Sequence, residues 1–250
     1  MIIPIKSKEE VEKFIEAGKI TAEIMEIVKY YLEKDGGYYC TGNEIDTIIR
    51  DECKMRGIIP AFLNYKGFPA SCCFSVNNIL VHGIPNDTPL KDGDVVSVDI
   101  GIDIDGFYGD HAITVGIGED NDHYEIIETC EDSLSEVISN IGPGDMFSKI
   151  PKIIQESSGK FKTINDYGGH GVSRGILHDN PFVPNVDKFI YDDFSLRENM
   201  IFAIEPMLTY GDNNTKIKED GWTVYTDEVS VHFEHMILIT KEGTKVLTEV

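Results

Sequence analysis

The sequence predicts an α+β chain with helices packed on a mixed sheet. Two observations carry that expectation. The apolar spacing changes from about 3.6 to about 2 residues after Gly57, and the order helix, helix, strands occurs twice. The recurrence lies in architecture rather than residue identity, so it predicts two pseudo-symmetric halves.

Ser7-Lys8-Glu9-Glu10 has the form of a capping box, and Val11, Phe14, Ile15, Ile20, Ile24, Met25, Ile27 and Val28 follow at near-helical spacing. A long amphipathic helix ending at Gly36-Gly37 is expected. Thr41-Gly42-Asn43-Glu44 repeats the capping signal ahead of Ile45, Ile48, Ile49 and Cys53, and Gly57 closes the second helix. Segments 72–81, 95–104 and 107–117 are rich in Val, Ile and aromatic residues and read as strands, with Asp105-Gly106 as a hairpin turn. The second round starts with a helix over 124–141 and a break at Gly142-Pro143-Gly144. A shorter helical stretch over 147–157 follows in spite of Pro151, and strands are expected at 200–208, 222–226 and 230–240. Segment 177–199 reads as a long loop with His178 at its start, suited to the rim of a site.

A chain of 250 residues, 41% apolar, is within the range of one α/β domain, so a single domain over 1–250 is expected. MIIPIKSKEE is apolar for only five positions and lacks the pattern of a secretory signal. No apolar run approaches the roughly 18 residues that span a bilayer, so no membrane partner and a cytoplasmic location are expected. Five cysteines, an odd number without a CxxC pair, argue against a disulfide framework or a structural zinc module. In a strand, adjacent Cys72 and Cys73 point to opposite faces, so only one of them can line a given site. A formal charge of −22, from 22 Lys and Arg against 44 Asp and Glu, argues against DNA as a partner, because phosphate neutralisation needs clustered cations.

Asp99 lies in Val95-Val96-Ser97-Val98-Asp99-Ile100, where burial of a charge is unfavourable unless a cation meets it. With Asp105-Gly106 as the turn, Asp110 faces Gly101 and lies diagonal to Asp99 on the same face of the hairpin. A slip of one residue would send the two to opposite faces. No Lys or Arg lies within the hairpin, which makes a divalent cation the simplest local compensation; two solvent-facing turn aspartates are the plainer alternative. Glu205 and Glu234 are further lone acids in apolar strands. His170 stands in Gly168-Gly169-His170-Gly171, where glycines permit close approach, although such a histidine taken singly is more often a turn residue than a ligand. Four carboxylates and one imidazole suit Mn, Fe(II), Co or Zn, and a set this acidic can hold two ions.

The ordered motifs Val81-His82-Gly83-Ile84-Pro85, Lys91-Asp92-Gly93-Asp94, Val98-Asp99, Asp105-Gly106, Gly109-Asp110, Gly169-His170-Gly171, Ile204-Glu205-Pro206-Met207, Gly221-Trp222-Thr223 and Glu234-His235 resemble the type I methionine aminopeptidases over nearly the whole chain. The resemblance implies the pita-bread fold, two pseudo-symmetric halves with helices on a curved mixed sheet. It also implies removal of the N-terminal methionine of nascent polypeptides, by attack of a metal-bridging hydroxide on the methionyl carbonyl. Asp99 would chelate one of two divalent ions, His170 and Glu205 the other, and Asp110 and Glu234 would bridge them. Glu205 would also shuttle the proton. His82 would contact the scissile amide and His178 the substrate carbonyl as it becomes an oxyanion. Phe62, Tyr65, Phe68, Cys73 and Trp222 resemble the wall of the methionine pocket, although each could be plain core.

There are departures from the family pattern. Eight positions separate His170 from His178, one more than type I members lead one to expect, which places the extra residue within 172–177 and puts the reach of His178 in question. Lys66 and Phe62 stand where a histidine and a cysteine are common. A rival reading is an X-Pro aminopeptidase or prolidase of the same fold, which usually carries a further N-terminal domain. A non-catalytic binding protein on this fold would be expected to have lost ligands that are present here. A transient ribosome contact is compatible with the role, yet the charge offers no evident basic patch for ribosomal RNA. A monomer is expected.

Overall fold

The computed structural model describes residues 3–119, 121–187 and 193–250. Both capping boxes form. Ser7 and Glu10 cap helix α1 (Lys8–Glu33) and Thr41 and Glu44 cap α2 (Gly42–Arg56), which Gly57 ends in the left-handed conformation at φ +69°. Helix α1 stops short of the expected glycines and passes into a single 3-10 turn, Lys34–Gly37. The second half contributes α3 (Tyr124–Asn140) and α4 (Lys149–Ser157). Pro151 is tolerated because it sits in the first turn of α4, where backbone N–H groups have no partner within the helix.

The helices pack on a curved nine-stranded sheet. Its order is Ile59–Pro60, Val95–Ile104, Phe107–Gly116, Glu234–Ile239, Ile201–Ile204, Gly168–Ser173, Ile176–Pro184. Cys72–Val76 also pairs with the 95–104 strand, and Thr244–Val246 with the 234–239 strand. Every ladder among the described residues is antiparallel, which corrects the mixed sheet expected above. Each half has its own apolar core. One gathers Ile24, Val28, Ile45 and Ile49 of α1 and α2 against Val96, Val98 and Ile100. The other gathers Ile126, Cys130, Leu134 and Ile154 of α3 and α4 against Phe202, Ile204 and Ile237.

Four predicted strands need correction, each for a local reason. Segment 72–81 divides into Cys72–Val76 and Ile79–Val81, because Asn77 turns the chain at φ +58° and its side chain bonds Val95 N and Asp94. Segment 200–208 divides at Glu205-Pro206 into Ile201–Ile204 and Met207–Thr209, since proline has no N–H for the ladder. Segment 230–240 divides at Phe233 into Ser230–His232 and Glu234–Ile239. Segment 222–226 shrinks to Val224–Tyr225, because the Asp220 carboxylate takes the N–H groups of Trp222 and Thr223 into a turn. The expected loop 177–199 opens instead with a strand, Ile176–Pro184, paired with Gly168–Ser173; residues 188–192 lie outside the described residues.

The hairpin register is the expected one: Ile104 pairs with Phe107, Gly101 with Asp110 and Asp99 with Ala112. Asp105 and Gly106 hold φ of +55° and +85°, the left-handed pair that a two-residue turn requires. Helix α1 lies directly on this hairpin at Gly109. A Cβ there would stand 2.0 Å from Thr21 Oγ1 and 2.7 Å from the Ala17 carbonyl oxygen. Gly109→Ala should therefore lower stability by about 1–3 kcal/mol, as for other overpacked sites. The measurement is the urea midpoint, and an unshifted midpoint would contradict such close seating of α1.

Candidate metal centre

Four strands and the break just after a fifth bring five side chains able to ligate a metal to one cleft of about 340 Å³: Asp99, Asp110, His170 and Glu234 from strands, and Glu205 from the break that follows Ile204. Asp99 and Asp110 come from the hairpin, diagonal to each other on one face as its register requires. Glu234 opens the strand that joins the halves, opposite Ala112, while Glu205 follows Ile204 at the proline break. His170 stands between two glycines whose Cβ atoms would be blocked: at Gly169 by the Ala203 carbonyl oxygen at 2.0 Å, at Gly171 by that of Asn180 at 2.1 Å.

The ligand atoms fall into overlapping groups, each within 4.8 Å: Asp99, Asp110 and Glu234; His170, Glu205 and Glu234; and Asp110, His170 and His178. Glu234 and Asp110 are the acids shared between groups, an arrangement suited to two cations with bridging carboxylates. His170 Nε2 is 3.4 Å from Glu205 Oε1 and 3.6 Å from Asp110 Oδ2. Its Nδ1 lies 3.0 Å from the Gly171 carbonyl oxygen, which only accepts, so the proton is on Nδ1 and the Nε2 lone pair faces the acids in the neutral ring. Asp99 Oδ1, Asp110 Oδ1 and Glu234 Oε1 are buried without a hydrogen-bond partner. Orphaned anionic oxygens of this kind are what a divalent cation satisfies, and an oxygen-rich set with one imidazole fits the harder transition-metal ions.

Desolvation, followed by mutual repulsion, pushes Asp99 and Glu234 well above the usual carboxylate range, and desolvation raises Asp110 as well. Burial by itself would depress His170, but the facing Asp110 and Glu205 outweigh it and raise it. Beneath the acids, His111 and His235 stack at 4.6 Å, and His111 Nδ1 lies 2.5 Å from the Glu234 carbonyl oxygen. Desolvation pushes these two rings down to about 3 and about 4, so they stay neutral spacers.

The apolar side of the cleft is built from Phe62, Tyr65, Phe68, Cys73 and Trp222, all in one cluster together with Leu177, which sequence reasoning did not include. Cys73 faces the cleft while Cys72 enters the core below α2, as alternation along a strand requires. Phe68 meets Trp222 edge to face at 5.2 Å. His82 lies 6.4 Å from Trp222 and 5.9 Å from Tyr167, in the left-handed conformation at φ +57°. His178 Nδ1 is 3.0 Å from Tyr65 Oη, and its ring is 4.3 Å from that of His170. The ladder shifts register by one residue here, since Ser173 pairs with Ile176 but Gly171 with Asp179, and His178 within this irregularity lines the cleft.

Sequence reasoning also missed Tyr167, Phe182, Met207 and His232, which line the same cleft. Met207 stood in the Glu205-Pro206-Met207 motif, whereas His232 follows an apolar residue in a strand and carried no signal of its own.

The shifts give a sign to the pH dependence of the metal-free protein. Above about pH 7.5 the depressed histidines are neutral in the folded state and almost entirely neutral in the unfolded one, so they add little slope there. Folding favours the protonated forms of His170 and of the raised carboxylates, so each contributes stability that is lost as pH rises through its raised folded-state pKa. Thermal midpoints in chelator should decline between pH 7.5 and 8.5, and Mn²⁺ should raise them more at pH 8.5 than at 7.5. Parallel curves with and without Mn²⁺ would mean that the acids do not share a cation.

Comparison with known proteins follows the same lines. The model of metallopeptidase family M24 matches residues 12–241. The methionine aminopeptidase of Aquifex aeolicus is 41% identical over 262 residues, covering 100% of both chains. The crystal structure of methionine aminopeptidase from Thermotoga maritima superposes with a TM-score of 0.93 at 37% identity, covering 100% of both. The prolidase of Pyrococcus furiosus, at 23% identity, has a TM-score of 0.74 over 98% of this chain and 65% of its own, which speaks to the fold alone. By its matched length, its pita-bread fold and its relatives, the chain belongs to metallopeptidase family M24.

Proposed function

We propose that the chain is a methionine aminopeptidase that releases the N-terminal methionine of polypeptides. The observation that carries this is a single cleft in which an acidic cluster able to hold two cations adjoins an aromatic and thiol wall shaped for one apolar side chain. Asp99, Asp110, His170, Glu205 and Glu234 hold two divalent ions, drawn from Co, Mn, Fe(II) or Zn. When bound, such ions supply an acidified water near neutral pH and polarise a carbonyl.

The chain's own residues do the rest. Phe62, Tyr65, Phe68, Cys73 and Trp222 seat the methionine side chain, where sulfur against a ring contributes about 0.3–1.5 kcal/mol. The free α-amine is directed to the Asp99 end of the cluster, so internal peptide bonds are refused. Glu205 takes the proton from the attacking water and passes it to the departing amine. With Tyr65 donating to Nδ1, His178 carries its proton on Nε2 and aims it at the developing oxyanion; desolvation in the cleft, followed by the nearby His170, keeps it neutral at pH 7. His82, whose pKa is likewise lowered by desolvation, steadies the scissile amide nitrogen. We take residues 1–250 as one catalytic domain, monomeric and cytoplasmic; no helix among the described residues is long and apolar enough to cross a membrane.

Purified protein with Mn²⁺ or Co²⁺ should release methionine from Met-Ala-Ser, lose the activity in chelator and leave X-Pro peptides intact. Preferential cleavage of X-Pro bonds would replace this reading with a prolidase. Asp110→Ala should lose metal and activity together, because the remaining acids repel one another, and wild-type turnover in that variant would count against the site. His178→Ala should retain metal while kcat falls by about 10²–10³, as for loss of one oxyanion donor.

A further inference from the structure

His232 has no part in the reaction derived above, yet its backbone is firmly anchored at the cleft. It ends the strand Ser230–His232 opposite Met207 and is 2% exposed. Thr114 holds its backbone from both sides: Thr114 Oγ1 donates to the His232 carbonyl oxygen at 2.6 Å and accepts from the His232 N–H at 3.1 Å. A hydroxyl has one proton and two acceptor sites. Ser97 Oγ, 2.8 Å from Thr114 Oγ1, must therefore be the donor of that pair, which saturates Thr114 and fixes the position of His232.

The side chain is treated differently from the backbone. Its Nε2 is buried without a hydrogen-bond partner among the described residues and lies 3.5 Å from Glu205 Oε2. The other oxygen of the same carboxylate, Oε1, faces His170 Nε2 at 3.4 Å. Glu205 is the acid that most needs such bracing, because it lies outside the ladders, between the end of Ile201–Ile204 and the start of Met207–Thr209. A carboxylate on an unpaired stretch of backbone can rotate, and an imidazole on each side leaves it one orientation. A buried ring nitrogen without a partner is unfavourable in itself, so a fold that anchors the residue this firmly is holding it towards something.

We infer that His232 is a positioning residue for Glu205: its Nε2–H is aimed at Oε2 and sets which carboxylate oxygen is presented to the cleft centre. The inference rests on the metallopeptidase reading, in which Glu205 is both ligand and proton carrier.

The test compares His232→Leu and His232→Gln with the wild type, by titration calorimetry of Mn²⁺ into chelator-stripped protein and by kcat and KM for Met-Ala-Ser. Loss of an orienting partner next to a ligand is expected to weaken Mn²⁺ affinity and lower kcat by about 10–100-fold in the Leu variant, with KM moving far less. The Gln variant, whose amide N–H can take the place of Nε2–H, should restore both to within about threefold. The thermal midpoint of metal-free Leu variant should not fall, because leucine removes an unpaired buried polar group. The inference is overturned if the Leu variant matches the wild type in affinity and kcat, or if Gln is as impaired as Leu, which would make the role one of packing. Wild-type protein that takes up no Mn²⁺ would overturn the metallopeptidase reading itself, and the inference with it.

Discussion

Four carboxylates sharing one cleft repel one another, and no Lys or Arg among the described residues forms an ion pair with any of them; the groups that approach them are histidines, His170 and His232 at 3.4–3.6 Å and His178 within 4.8 Å of Asp110. Burying a charge without compensation is unfavourable by several kcal/mol even after relaxation. The metal-free cluster therefore cannot hold itself together, and the surrounding scaffold must. That scaffold is the pair of apolar cores, one under each half, and the ladders that fix each acid in register. The upward shifts of Asp99, Asp110 and Glu234 record desolvation first and, after it, the repulsion between the acids. A site of this kind is preorganised for cations because the energy of ordering it is supplied by packing elsewhere.

The geometry that opens the cleft is a fork in the sheet. Ile201–Ile204 and Glu234–Ile239 run together in the central sheet, while their continuations, Met207–Thr209 and Ser230–His232, pair in a separate one. The chain changes sheets at Glu205-Pro206 on one strand and at Phe233 on the other, and Phe233 N bonds the Pro206 carbonyl oxygen at 3.3 Å. Glu205, His232 and Glu234 thus stand at the crotch of the fork, where the two strand pairs diverge and side chains can converge on a space. Below it, the neutral His111–His235 stack fills volume without adding charge, and His111 ties down the Glu234 carbonyl.

This division explains what could be read from the chain beforehand. Helix caps and the Asp105-Gly106 turn act locally, so both capping boxes and the hairpin register followed from adjacent residues, and with the register came the convergence of Asp99 and Asp110. The sheet fork could not be read in this way, because Phe233 carries no breaking signal and leaves the ladder only in concert with Pro206 on another strand. Segment 176–184 read as loop because its Asp, Asn and Pro residues obscure a strand that the pairing with Gly168–Ser173 imposes. His178 was placed by motif, but its reach depended on a register shift that spacing alone could not reveal. His232 was invisible because its meaning lies in a carboxylate 27 positions away in sequence, as 232 less 205.

The two halves do not divide the work between seat and chemistry. The first half supplies Phe62, Tyr65, Phe68 and Cys73 to the apolar wall and Asp99 and Asp110 to the acids. The second supplies Trp222 to the wall and His170, Glu205 and Glu234 to the cluster. Even the single contact between Tyr65 and His178 crosses from one half to the other. Neither half can therefore keep a partial site, and the seam between them becomes the critical join. In the central sheet that seam is short, pairing Glu234 with Ala112 and His235 with His111, so it runs through Glu234 itself. A displacement of the halves would move Glu234 relative to Asp110 and would also disturb the apolar cluster of Phe14, Ala17 and Phe107 with Val172, Met236 and Leu238 that crosses between them, which ties the integrity of the acidic cluster to the packing that joins the two halves.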